Sequence, residues 1–286
     1  MPKIYILLPV HNRLEQTRSF IESLCQQTYV DYRLILIDDG SVDGTAEYVK
    51  DRIKDLVIIT GQGNWFWGGG LHQGYLWLRK NKVNKEDVVL IINNDTEFSS
   101  DFLEKGMSIL FKMPQTLLLA QAYGKDNANL IESGVYVDWR SLNFRQARKK
   151  DEINCLSTRG LFLRVGDFFD IGGFHPFLLP HYLADYEFTI RANHKGYTLI
   201  TDPELSLIVD ESSTGIHKLG QCISPIEFYK NYFSIRSADN PFFWFTFVAM
   251  ACPWPWKAVN LLRVLYSGVG TLIRVFLQGA NYHRKT

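Results

Sequence analysis

Five apolar residues in an unbroken row, Val88-Val89-Leu90-Ile91-Ile92, run straight into Asn93-Asn94-Asp95-Thr96-Glu97. A Val/Ile/Leu run bounded by polar residues is what a parallel strand covered on both faces looks like. Open α/β sheets hold their ligands just beyond the carboxyl ends of such strands, so the amides and carboxylates at 93–97 mark a candidate site. The chain builds the same construction twice before this point. Ile4-Tyr5-Ile6-Leu7-Leu8-Pro9-Val10 leads into His11-Asn12-Arg13, and Arg33-Leu34-Ile35-Leu36-Ile37 leads into Asp38-Asp39-Gly40-Ser41-Val42-Asp43-Gly44-Thr45. A helical segment with Leu14, Ile21, Leu24 and Cys25 on one side separates these two strands, and Ser41 or Asp43 can cap a second helix over 46–53. Leu56-Val57-Ile58-Ile59-Thr60 reads as the third strand. Strands alternating with helices at this spacing predict an α/β fold with a mostly parallel sheet and right-handed crossovers.

The stretch after the third strand, Gly61 to Tyr75, reads as a loop that combines Trp65, Phe66 and Trp67 with Gly68-Gly69-Gly70. Glycines let backbone N–H groups approach an anion, and the aromatic rings offer flat faces to a sugar or base. The spacing is neither GxGxxG nor GxxxxGK[ST], so a dinucleotide or P-loop site is not expected. Farther on, a helix is predicted near Phe102 to Phe111 and strands at Leu117 to Ala122 and Leu130 to Val137. Asp185 comes where a new helix should start, a position that favours an ionised carboxylate, while Glu187 and Arg191 are spaced to pair along that helix.

At 286 residues the chain accommodates one catalytic-sized domain, expected at 1–220, with an appendage at 221–286. Its 31 Lys plus Arg against 30 Asp plus Glu give no support to a general nucleic-acid binder. Cys25, Cys155, Cys222 and Cys252 form no CxxC pair, so reduced thiols and a cytoplasmic setting are expected. The first ten residues lack the features of a signal peptide, and no window of 18 uncharged apolar residues predicts a membrane-spanning helix.

Taken together these segments resemble glycosyltransferase family 2, whose nucleotide-sugar-binding fold is called GT-A. The resemblance covers about residues 3 to 215 and rests on six motifs in order: Pro9 to Arg13, Ile37 to Thr45, Asn64 to Gly74, Asn93 to Thr96, Ile171 to Phe174, and Asp185 to Arg191. Within the family, Asn-Asn-Asp-Thr with an aromatic glycine loop is similar to bacterial rhamnosyltransferases of surface polysaccharide synthesis. The resemblance implies that Asp39 accepts a hydrogen bond from a uracil or thymine N3–H, that Pro9, His11 and Asn12 frame the base, and that Asp43 steadies the turn near the ribose. It implies donor contacts at Asn64, Gly69, Gly70, Asn93 and Asn94, with Trp65, Trp67 and Arg159 on the acceptor side. Asp95 would bind Mg²⁺ or Mn²⁺, with Asp210 or His217 as a further ligand, and Asp185 would be the base of an inverting transfer. Departures from the family pattern are Asn93 in place of the first acid of DxD, Ala184 in place of the acid before the base, Glu187 for aspartate, and Phe66 and His72 in the glycine loop.

The tail changes character at Pro241. Phe242 to Phe247 and Pro253-Trp254-Pro255-Trp256 precede a predicted helix from Lys257 to Gln278, in which Asn260, Arg263, Ser267, Thr271, Arg274 and Gln278 form a narrow polar stripe. A basic stripe with tryptophans nearby fits an amphipathic helix in a membrane interface, so 241–286 is expected to meet the inner face of the cell membrane. The function implied is transfer of a sugar, first guess rhamnose from its dTDP donor with UDP as the other nucleotide, to a cell-surface glycan or lipid-linked acceptor. The alternatives are a non-catalytic nucleotide-sugar-binding subunit and a sugar nucleotidyltransferase.

Overall fold

The computed structural model describes residues 2–210 and 225–282, the side chains of 225 and 278–282 excepted. His217 and the expected boundary at 220 therefore lie outside the described residues. The first half alternates strand and helix: β1 (Ile4–Val10), α1 (Leu14–Cys25), β2 (Tyr32–Asp38), α2 (Thr45–Lys50), β3 (Leu56–Thr60), α3 (Phe66–Lys80) and β4 (Val88–Ile91). Then follow β5 (Thr96–Glu97), α4 (Phe102–Leu110), β6 (Thr116–Gly124), β7 (Leu130–Glu132), β8 (Val135–Asp138) and β9 (Asn143–Gln146). The remaining elements are β10 (Leu161–Arg164), α5 (Val165–Ile171), α6 (Ala184–His194), β11 (Thr198–Val209), α7 (Pro225–Tyr232), α8 (Pro241–Ala251) and α9 (Trp254–Tyr282).

The main sheet has the order β3-β2-β1-β4-β10-β6-β11-β5, with β7 paired to β6. Its first four strands are parallel, as the alternating pattern requires. The second half departs from that pattern: β10 runs antiparallel to both β4 and β6, and β5 and β7 are antiparallel to their neighbours. The sheet is thus mixed. A strand buried on both faces gives an apolar run whichever way it points, so direction was not readable from Leu161-Phe162-Leu163. Side chains of period two divide the core. Tyr5, Leu7, Ile35, Ile37, Val89 and Ile91 face α3, whereas Ile6, Leu8, Leu36, Leu90 and Ile92 face α1 and α4. Each such burial contributes about 1.5–3 kcal/mol.

The glycine stretch is not a loop beyond residue 65. Phe66 opens α3, and Gly68, Gly69 and Gly70 form its buried first turns. Glycine inside a helix costs about 1 kcal/mol relative to alanine. Packing offsets that cost here: a Cβ on Gly74 would stand 3.0 Å from both Leu7 and Ile37, and one on Gly68 would stand 2.6 Å from the Leu179 carbonyl oxygen. These glycines let the helix lie directly on β1, β2 and the segment before α6.

The C-terminal segment completes the core. Phe247 and Val248 of α8 are fully buried, with Phe247 stacked 5.9 Å from Trp139 and Trp244 edge-on to Phe144 at 5.5 Å. Helix α9 is oriented against the usual rule for amphipathic helices. Only part of its polar stripe meets the protein: Asn260 is buried and donates to the Trp139 carbonyl at 2.7 Å and Thr271 is half-buried, whereas Arg263, Ser267 and Arg274 are exposed. Leu262, Leu265, Tyr266, Val269, Ile273 and Phe276 face outward and are exposed. No 18-residue window here is free of charge, as expected, yet Trp254–Leu277 contains an 18-residue window of mean hydropathy 1.3 that carries few charges, and the helix is long and apolar enough to cross a bilayer by length and composition.

Candidate active site

A cavity of about 680 Å³ opens over the carboxyl ends of β1, β2 and β4, within the usual size of small-molecule sites, roughly 300–1,000 Å³. Of the expected residues, Pro9, His11, Asp39, Trp67, Gly70, Asn93, Asn94, Asp95, Arg159 and Asp185 line it. Asn12, Asp43, Asn64, Trp65, Gly69 and Asp210 are not among its lining residues.

The turns at the β1 and β2 end are tied to one another. Asp43 accepts from the Leu14 N–H at the start of α1 at 2.9 Å and from the Thr45 hydroxyl at 2.6 Å. Those donors hold its carboxyl below the usual range against the opposing effect of burial. The Asn12 side-chain oxygen accepts from the Val42 N–H at 2.9 Å. Asn12 and Asp43 thus fasten the two turns beneath the cavity. His11 Nδ1 lies 2.7 Å from the Asp39 carbonyl oxygen and must carry the proton, which leaves Nε2 as an acceptor.

Asp39 has a structural task that the sequence did not show. Its Oδ1 accepts from the N–H groups of Gly63 and Asn64 at 2.8 and 3.2 Å, and its Oδ2 from those of Trp65 and Phe66 at 2.8 and 3.2 Å. Four N–H donors fill the roughly four lone-pair sites of a carboxylate. The same negative charge stands at the N-terminus of α3, where the helix dipole favours it. Asn64 and Trp65 therefore belong to the turn that Asp39 organises. Trp65 packs over Gly61 and Gly69, while Trp67 reaches the cavity and donates from Nε1 to the Thr158 hydroxyl at 3.1 Å.

Asn93, Asn94 and Asp95 sit at the end of β4. Buried Asn94 is anchored to α1 through the Thr17 hydroxyl at 2.9 Å, and Thr96 donates to the Asn93 carbonyl at 2.7 Å. Asp95 is buried, its Oδ2 is 3.5 Å from Arg13, and its Oδ1 has no hydrogen-bond partner among the described residues. An unpartnered buried oxygen of this kind costs about 1–3 kcal/mol, and a hard divalent cation is a group that would satisfy it. No group of three or more His, Cys, Asp or Glu side chains converges among the described residues, so Asp95 is the protein's visible share of such a site. Asp210 lies at the end of β11, its N–H donating to the Asp95 carbonyl at 3.2 Å.

Asp185 stands in the first turn of α6, its Oδ1 accepting from the Tyr186 N–H at 2.9 Å. Burial pushes its carboxyl up to about 6; the Tyr186 N–H opposes the shift and the negative charge of Glu132 adds to it. The preceding Ala184 explains one departure from the family pattern. It is buried and lies beside Gly68 of α3, surroundings that suit a small apolar side chain. Glu187 points away from the cavity and pairs with Arg191 at 2.8 and 2.9 Å. Arg191 in turn holds the carbonyls of Ile171 and Gly173 at 2.6 and 2.9 Å.

Several lining residues had little signal in the sequence. Glu132 ends β7, and burial followed by Asp95 raises its carboxyl while Arg159 and Ser157 act against the rise. Arg236, from the turn between α7 and α8, places its guanidinium 5.8 Å from the centre of the Phe66 ring. Among the described residues the buried Nδ1 of His181 has no partner; burial, then Arg236 and Arg13, lower it to about 4, so it is neutral at pH 7. A lone Glu after Leu130-Ile131 was the one available clue to this group, and nothing near Arg236 in the chain marked it.

The sequence profile described as glycosyl transferase family 2 matches residues 5–167. Glycosyltransferase AglE of Haloferax volcanii is 24% identical over 212 residues, 70% of this chain and 64% of that protein. The O-antigen chain rhamnosyltransferase RfbN of Salmonella typhimurium is 24% identical over 164 residues, 56% of this chain and 50% of that protein. This chain thus spans less than two thirds of the length of both curated relatives. S. aureus TarS 1–349, solved in complex with UDP-GlcNAc, superposes with a TM-score of 0.57 at 17% identity, over 93% of this chain and 73% of that one. That likeness concerns the fold, an α/β sheet of the GT-A type. A profile match covering more than half of the chain, on the strands and turns that build the cavity, shows that this protein belongs to glycosyl transferase family 2.

Proposed function

We propose that the chain is an inverting glycosyltransferase that moves a sugar from a nucleoside diphosphate to a hydroxyl of a cell-surface glycan or lipid-linked acceptor. The observation that carries this reading is the distribution of charge along one cavity. Pro9, His11 and Gly63 flank one end, Asp95 and Arg13 stand mid-sheet, and Asp185 lies beyond. A base, a diphosphate and a reacting sugar need those surroundings in that order. Arg13, Arg236 and neutral His181 flank the space suited to the diphosphate, where an anion would give the unpartnered His181 nitrogen something to bind. Asp95 would hold Mg²⁺ or Mn²⁺, which supplies Lewis-acid stabilisation of a departing diphosphate. Asp185 takes the proton of the acceptor hydroxyl while its oxygen forms the bond to the anomeric carbon. The bond to the diphosphate breaks on the opposite face, and its electron pair leaves with the diphosphate, which inverts the centre. The likeness to RfbN supports rhamnose from dTDP-rhamnose as the first donor to try. In a panel of dTDP-, UDP- and GDP-sugars with Mn²⁺ or Mg²⁺, one donor releases nucleoside diphosphate, and Asp95→Ala lowers that release by about 10²–10³, the usual worth of a charge-stabilising group. Donor binding without turnover by any donor would favour the binding-subunit reading instead.

The same reading assigns residues 1–220 to catalysis and the tail to the inner face of the membrane. An outward apolar row on α9, bordered by the exposed Arg263 and Arg274, is what a lipid surface selects. A lipid surface fits better than a full span, because Asn260 and Arg263 are bonded to each other at 2.8 Å on the side that grips Trp139. Such a helix lies along the surface. The protein is expected to float with vesicles of phosphatidylethanolamine and phosphatidylglycerol. Val269→Glu with Ile273→Glu lowers the bound fraction by about 10²-fold, since two apolar contacts of roughly 1.5–3 kcal/mol each are lost. Flotation unchanged by that pair would place the row against protein instead.

A further inference from the structure

Glu132 is a carboxylate in an unusual position. It is the last residue of a short edge strand, paired to β6 at Ala122, and its side chain turns into the cavity. Carboxylates that serve only to hold a strand are commonly paired with a cation, yet among the described residues Glu132 forms no salt bridge within 4.0 Å. Ser157 faces it, Arg159 lies farther off, and Asp95 and Asp185 are near enough to repel it. Ser157 and Arg159 offset only part of it, and the carboxyl stays raised.

Resting on the transferase reading above, we propose that Glu132 is an acceptor-recognition residue, whose carboxylate takes a hydrogen bond from a second hydroxyl of the acceptor sugar while Asp185 engages the attacking one. The sheet order places it there. Donor-side residues come from β1, β2 and the turn after β3, whereas Glu132 hangs from β6 on the other side of β4, with Ser157 to Arg159 and Asp185. Its chemistry selects the ligand. A carboxyl group accepts from O–H groups and, where burial keeps its proton, donates one hydrogen bond as well, so it suits the hydroxyls of a neutral polyol better than a diphosphate. Arg159, across the same region, supplies donors for ring or hydroxyl oxygens that Glu132 cannot serve. In the free protein Ser157 is the carboxylate's hydrogen-bond partner, and an arriving acceptor hydroxyl adds a second, so its contribution falls on acceptor binding.

The test uses the full chain, its active donor, and a panel of methyl glycosides with their mono-deoxy analogues as acceptors. Sites built to hydrogen-bond a substrate hydroxyl reject the analogue lacking it strongly. Wild type is expected to discriminate against one deoxy analogue by tenfold or more, at a position other than the attacking hydroxyl. Glu132→Gln raises the acceptor KM by about tenfold and erases that discrimination, the size of one lost hydrogen bond to a charged group. Donor KM and the Mn²⁺ concentration dependence move far less than the acceptor KM, by about twofold at most. A larger shift in the Mn²⁺ dependence would make Glu132 a metal-site residue and overturn the proposal, as would an unmoved acceptor KM in a folded variant. Glu132→Asp, which keeps the charge and shortens the reach, decides the matter if the Gln variant does not fold: retained discrimination with a raised acceptor KM supports the assignment, and wild-type behaviour opposes it. A wild type that turns over no donor would remove the transferase reading itself, an outcome distinct from loss of Glu132's role alone.

Discussion

Asp185→Asn is expected to lower sugar transfer by about 10²–10⁴, the usual contribution of a positioned general base. Donor binding should survive, because the carboxylate stands beyond the part of the cavity flanked by Pro9, His11 and Gly63. The pH dependence follows from the position of its proton. Burial raises the Asp185 carboxyl to about 6, so kcat/KM of wild type should fall tenfold per unit as pH drops below about 6. In Asp185→Asn that acidic limb should vanish. The sign for stability is opposite to that for activity. A carboxyl raised by folding binds its proton more tightly in the folded than in the unfolded chain, so its ionisation destabilises the fold as pH rises from about 4 through 6. Asp185→Asn should therefore melt at a higher temperature than wild type at pH 8, which separates a lost base from a damaged fold. An inactive variant that is also less stable at pH 8 would mean that Asp185 is structural.

Asp39→Asn should have the largest effect on the donor side, and through the fold. The substitution keeps the shape and leaves one acceptor oxygen for four backbone donors, while the new NH₂ group points at N–H groups. Loss of charge-assisted bonds to Gly63 through Phe66 is expected to cost on the order of 3 kcal/mol. For a chain of this size that lowers the melting temperature by about 6–12 °C. Because the same turn carries Phe66 and Trp67 into the cavity, donor KM should rise as well. A donor KM that rises with no change in melting temperature would instead favour direct recognition of the base by this carboxylate, as the family resemblance implies. Thermal melts with and without donor distinguish the two.

The parallel half of the sheet and the order of its motifs were legible because the information is local. Strands buried on both faces give unbroken apolar runs, and the polar residues that end β1, β2 and β4 follow each run directly in the chain. Asp95 and Asp185 stood out at a strand end and a helix start, while the roles expected of them came from the family resemblance. The stretch from Phe66 to Gly74 was misread as a loop because glycine counts against a helix when neighbours are unknown. Only contact with Leu7, Ile37 and the Leu179 carbonyl makes it the required residue.

What the tertiary structure alone decided involves groups far apart in the chain. The four donors to Asp39 lie 24–27 residues away from it. Glu132 meets Asp185 across the end of the sheet, and Arg236 returns from beyond β11 to Phe66. The polar stripe of α9 was visible by its spacing, but not its direction. A helical period reports that a face exists, and only packing shows that Asn260 turns in against Trp139 while Arg263, Ser267 and Arg274 stay exposed beside the apolar row. Residue type and period thus determined the elements and the sites at their ends. Which distant elements meet, and therefore which charges share a cavity, is set by packing that no short stretch of sequence contains.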